Sequence, residues 1–150
     1  MIKVDSTWNK EDGLASTIIK YNNKEFIGIA LCHPDDEDFK SSWTGTAISE
    51  FRAYIAYLKH VRDNELRPHL KCLCQLYYSM NRSKKFNPRG YEAKTLYRAI
   101  KRTEKDLKAV QQEIENIKND LKNYIDNKEE LFIKIRARRK AGQDKTTSNN

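Results

Sequence analysis

Apolar positions recur at alternating steps of three and four residues along the C-terminal third of the chain. The series runs Ala93, Leu96, Ile100, Thr103, Leu107, Val110, Ile114, Ile117, Leu121, Tyr124, Lys128, Leu131, Ile135 and Arg138, with no Gly or Pro inside it. A period of 3.5 keeps one stripe of a helix turned toward a partner helix. At about 1.5 Å of rise per residue this segment is roughly 70 Å long. A chain of this size rolled into one ball would be only about 30 Å across. The helix must therefore project, fold against another long helix, or pair with a second chain. Its surplus length and unbroken seam predict a homo-oligomer, a dimer or higher. Lys128 and Arg138 in the seam predict looser packing, or contact with an anion, toward the C-terminal end.

Upstream the pattern changes. Leu14–Tyr21 and Lys24–Cys32 read as two strands separated by Asn22-Asn23, residues that tolerate the positive φ of a tight turn. Residues 1–4 add a short third strand. So small a sheet is marginal alone, so it should lean on a helix or pair with a copy of itself. The stretch from Cys32 to Gly45 reads as a loop, with four acids at Asp35, Asp36, Glu37 and Asp38. A helical arm over 46–80 follows, with Ile48, Phe51, Ile55, Ala56 and Leu58 on one side and Leu70, Leu73, Leu76, Tyr77 and Met80 further along. Pro68 either kinks this arm or opens its second piece. Pro88 and Gly90 mark a break before the long helix over 91–139. Residues 140–150 are polar and aperiodic and read as a disordered tail. The expected fold class is α+β, mainly α: a short N-terminal antiparallel β part (1–33) followed by long antiparallel helices, the last a coiled-coil helix, in one domain over 1–139.

Composition sharpens this only in places. The formal net charge is +8, with a pI near 9.3, which favours anionic partners and says nothing of fold. Solubility plus a basic tail explains the same number. No run of about 18 apolar residues predicts a membrane span. The first five residues do not read as a signal peptide. Three cysteines without a secretion signal fit reduced thiols in a cytoplasm.

Candidate chemistry is sparse. Cys32, His33, His69, Cys72 and Cys74 are metal-type ligands, but Cys72 and Cys74 are two apart on a helix and point in different directions. Small core thiols and surface histidines explain them as well, and no metal or cofactor is expected. His33 with Asp35, Asp36 and Asp38 could form an acid–base or metal site. No second motif completes it, and acids ahead of a helix also suit its positive end. The chain is expected not to be an enzyme. Arg82, Lys84, Lys85 and Arg89 surround Phe86 and Asn87 in a loop entering a helix N-terminus, a pattern suited to phosphate. Phe86, Tyr91 or Trp43 could stack on a base. A solvated turn between helices is the plainer explanation. Arg136, Arg138, Arg139 and Lys140 could touch nucleic acid, or merely complement the helix dipole, and nucleic acid is not favoured.

Gly28-Ile29-Ala30-Leu31-Cys32-His33-Pro34-Asp35-Asp36, followed by Phe39, Ser42, Thr44-Gly45, Ile48 and Arg52-Ala53, resembles a block found in small bacteriophage proteins. With the layout of a short β part and long helices, it is similar to the phage Thoeris anti-defence family of the first type. The resemblance covers residues 24–60 by motif and the rest by layout. It implies a non-enzymatic sponge that binds a cyclic ADP-ribose isomer or a cyclic oligonucleotide and keeps an immune effector off. It also implies dimers or higher oligomers with sites shared between chains. The family's ligand residues are not aligned one by one, so the candidate site rests on chemistry. Arg52, Arg82, Lys85 and Arg89 would hold phosphates, Phe86 or Trp43 would stack, and Asn87 would read a base or ribose edge. The alternatives are a coiled-coil protein that inhibits a host defence effector, and a basic accessory protein on nucleic acid.

Overall fold

The computed structural model describes residues 2–32 and 41–147, with side chains through Ala137. Three antiparallel strands come first: β1 (Lys3–Asn9), β2 (Leu14–Tyr21) and β3 (Lys24–Leu31), in the order β1-β2-β3. The β2–β3 turn is the expected one. Asn22 and Asn23 both take positive φ, 48° and 59°, which matches the twist of a two-residue hairpin. At the β1–β2 turn Asn9 Oδ1 accepts from the Glu11 and Asp12 amides, and Gly13 takes φ 62°. The third strand is longer than the sequence pattern indicated. Its register sets Val4, Ser6 and Trp8 opposite Ile19, Thr17 and Ala15. Only two of those three β1 residues are apolar, so alternation is a weak signal there.

Two helices and the turn between them form one continuous arm. They are α1 (Ser42–His60), a π-helical segment (Val61–Leu66) and α2 (Arg67–Asn81). The arm starts at Ser42, so Trp43, Thr44 and Gly45 are helical and not part of a loop. Ser41 caps it, its hydroxyl accepting from the Thr44 amide at 3.4 Å. Pro68 sits in the first turn of α2 and does not end the arm. Proline removes one amide donor and crowds the carbonyl four residues back. The wider π segment just upstream relieves both, and Arg62, Asp63 and Arg67 are laced together across it. Asp63 accepts from Arg62 at 2.8 Å and from Arg67 at 2.7 Å.

After the break at 82–90 comes α3 (Tyr91–Thr147), 57 residues long. It runs back antiparallel along the arm: Tyr97 lies beside Tyr77, Gln111 beside Arg62, and Tyr124 beside Phe51. The seam seen in the sequence is thus covered within one chain. Ala93, Leu96, Ile100, Thr103, Ile114 and Ile117 are buried, and Leu58, Ile114 and Ile117 form the centre of the helical core. Covering ends near the start of α1, leaving Leu131 and Ile133 47% and 63% exposed. The polar composition of residues 140–150 predicts a disordered tail, but α3 continues through Thr147. Extending an existing helix needs no new nucleus, and Lys, Ala and Gln are good helix formers. Among the described residues no helix is long and apolar enough to cross a membrane.

The sheet lies on α1. Ala15, Thr17, Ile19 and Ala30 point inward, and Gly28 lets β3 approach the α1 backbone at Ser49 and Ala53. Buried Thr17 and Ser49 share a hydroxyl bond of 2.7 Å, and Ser49 donates to the Thr46 carbonyl at 2.9 Å. At the hairpin-turn end, Tyr21, Phe26, Tyr54, Tyr57 and His60 form an aromatic cluster with ring centroids 5.1–5.9 Å apart.

Candidate functional site

The seven residues picked from the sequence fall into two groups at opposite ends of the arm. Thirty helical residues, about 45 Å, separate Arg52 from Arg82. One chain therefore brings Lys85, Phe86, Asn87, Arg82 and Arg89 together at the hairpin tip, and leaves Arg52 and Trp43 near the sheet.

At the tip a recess of about 480 Å³ opens between the end of α2, the loop and the first turn of α3. Lys85, Phe86, Asn87, Tyr91 and Glu92 border it. The loop builds this shape with its own polar groups. Asn87 Oδ1 accepts from the Arg89 amide at 3.0 Å, and the Asn87 carbonyl accepts from the Gly90 amide at 2.9 Å. Asn87 thus shapes the turn, and its amide oxygen is already engaged. Phe86 packs edge-on against Tyr77 at 5.9 Å and plugs the base of the hairpin, so its ring is not a free stacking platform. Arg82 folds back on α2, donating to the Tyr78 hydroxyl at 2.8 Å with its guanidinium 4.4 Å from that ring. Tyr91 is the ring that remains open, at 82% exposure. Lys85 and the amides of the first turn of α3 supply positive charge to the recess. Glu92 opposes an anion on its own side.

The second recess, about 240 Å³, lies where the sheet, α1 and α3 meet, bordered by Trp8, Leu31, Arg52, Lys128, Glu129 and Phe132. Arg52 is engaged with the sheet. Its Nη1 donates to the Ile29 carbonyl on β3. In this hairpin the Ile29 backbone groups face outward from the β3 edge, so Arg52 covers an edge that would otherwise invite another strand. Trp43 is 86% exposed and borders neither recess. Trp8 and Phe132 carried no motif in the sequence. Lys128 did carry a signal, as a cation at a seam position.

His33, Asp35, Asp36 and Asp38 lie outside the described residues. Cys32, Cys72 and Cys74 are in no disulfide. Among the described residues no three His, Cys, Asp or Glu side chains come together as a metal site would need. Clear pKa shifts at Tyr57, Arg62 and Asp63 lie midway along the arm, away from both recesses. The Arg62 hydrogen bond holds Asp63 below the usual carboxylate value, and burial raises Tyr57.

No family model, no curated protein and no solved structure matches this chain.

Proposed function

We propose that the protein is a non-enzymatic binding protein that captures a small phosphate-bearing nucleotide at the tip of its helical hairpin. In an infected bacterium it would sequester a nucleotide immune signal, a cyclic ADP-ribose isomer or a cyclic oligonucleotide. The observation that carries this reading is the convergence of Lys85, the open ring of Tyr91 and the first turn of α3 on one recess. Its volume lies within the range of small-ligand sites, about 300–1,000 Å³. The resemblance to phage sponges supports the choice of ligand class. Arg89 lies in the same loop, outside the residues that border the recess.

Native mass spectrometry after incubation with a lysate from cells with triggered nucleotide signalling should show an intact bound nucleotide. Calorimetry with that nucleotide should give at least tenfold weaker binding for Lys85→Gln, the usual scale for losing a charged hydrogen bond of about 1.5–3 kcal/mol. Tyr91→Ala should lose a comparable factor through stacking. No adduct, or unaltered affinity in both variants, refutes the reading.

A second reading, a coiled-coil interaction protein, rests on the uncovered residues Leu131 and Ile133 beyond the end of the arm. The same spectrum tests it. An oligomer that holds no nucleotide, and is lost in Leu131→Asp/Ile133→Asp, would favour it.

A further inference from the structure

The charge of this chain is concentrated in one region. Residues 67–110 carry twelve Lys or Arg and three Asp or Glu, a net of +9. The whole chain nets +8, so everything else together nets −1. This region is the half of the hairpin farthest from the sheet. Five of its cations form one row on α3: Lys94, Arg98, Lys101, Lys105 and Lys108, all exposed, at steps of four, three, four and three. At about 100° per residue the row lies on the side of α3 turned away from the buried seam. It is about 21 Å long.

The row costs the free helix stability, because like charges three and four residues apart repel. The middle of α3 carries less of that cost. Residues 111–137 carry five Lys or Arg among six Asp or Glu. Among the described residues the row has one acidic partner, Glu104, bound to Lys101 at 2.9 Å.

We propose that this face of the hairpin binds double-stranded nucleic acid through its phosphates, without reading sequence. Duplex DNA carries one charge per ~1.7 Å of axis, so a row of this length faces roughly twelve phosphates. A straight, rigid array suits a lattice of fixed charges. Binding a single strand would call for free aromatic faces on which bases stack. Here Tyr97, beside the row, and Tyr78 are occupied by cations, and the open ring of Tyr91 stands at the loop, before the row begins. Lys101 lies over Tyr97 at 5.5 Å and Arg82 over Tyr78 at 4.4 Å. The surface goes beyond the small-ligand reading, since it lies along the outside of α3 and the recess opens at the loop.

The test is fluorescence anisotropy with a random-sequence duplex of 24 base pairs across a KCl series. Five phosphate contacts predict a slope of log K against log salt near about −4.5. Arg98→Gln/Lys105→Gln should flatten the slope by about 1.8, and Lys118→Gln, beyond the row, should leave it in place. Gln keeps helix propensity, and losing repulsion should leave the double variant at least as stable as wild type, which circular dichroism checks. A slope shallower than about −2, or one unaltered in the double variant, overturns the proposal. So does a polyglutamate competitor that displaces the duplex as well as unlabelled duplex of equal charge, because the surface would then suit acidic protein segments.

Discussion

Replacing Gly28 by Ala tests the contact on which the two layers depend. A Cβ at Gly28 would overlap Ser49 O and Ala53 N and lie 3.0 Å from Ser49 C, all of them α1 backbone. A helix backbone cannot swing aside as a side chain can. Sheet and helix would have to part by about an ångström, and a gap of ~0.5–1 Å already forfeits a quarter to a half of each contact's attraction. Ala15, Thr17, Ile19 and Ala30 share that interface and would all lose contact. Overpacking of this kind costs about 3 kcal/mol at the upper end of its usual range. Loss of glycine's freedom in the unfolded chain offsets about 0.4–1 kcal/mol. The net loss of about 2–3 kcal/mol corresponds to a Tm lower by about 4–12 °C for a chain of this length. Gly45→Ala is the control. There an added Cβ meets the Trp8 ring at 2.7 Å, a side chain that can move, and the Ala15 Cβ at 3.1 Å, which needs a shift of only a few tenths of an ångström, while Ala favours the helix by about 1 kcal/mol. Thermal melts followed by circular dichroism would decide. If Gly28→Ala melts within about 2 °C of wild type, the sheet does not rest on α1 at this register.

Two further outcomes follow from polar groups in the same frame. Thr17→Val removes the partner of buried Ser49 but leaves the Ser49 bond to Thr46, so urea unfolding should show a loss of about 1 kcal/mol with unaltered slope. Asp63 has a folded pKa below its unfolded value because Arg62 binds its carboxylate. Its contribution should therefore be complete above about pH 4 and fade as pH falls through the depressed value. The Tm gap between wild type and Asp63→Asn should close over that acid range, and a gap that widens would contradict the assignment.

Much of the fold can be read in the chain because its signals are local. Asn22-Asn23 dictates a turn, and the seam from Ala93 onward dictates a helix that must be covered. What covers it is not local. The seam fits a second copy as well as the arm over 42–81, and the choice depends on the tip at 82–90 closing, which packing between Phe86 and Tyr77 helps to fix. The site was legible in composition and not in placement. Arg52 and Arg82 look alike in sequence, yet one caps the β3 edge at Ile29 and the other lies on Tyr78. Both are held by groups that only the tertiary fold or the helix face supplies. Charge segregation was written in the sequence throughout, but its meaning depends on α2 and α3 lying side by side.

The π segment at Val61–Leu66 also works as a phase corrector. On the arm the half-buried or buried residues facing α3 are Phe51, Ile55 and Leu58, then Leu66, Leu70, Leu73, Tyr77 and Met80. Continuing the first series by fours and threes arrives at position 65, one residue short of Leu66. The extra residue is absorbed by the wider turn, and without that turn the whole second stripe would rotate by about 100° away from its partner. The arm therefore tolerates two sequence lengths between its stripes, provided the turn narrows when the extra residue is removed. Shortening by one anywhere beyond Leu66 has no such remedy. The hairpin thus accommodates, in one irregular turn, one residue more than an unbroken α-helical stripe would take.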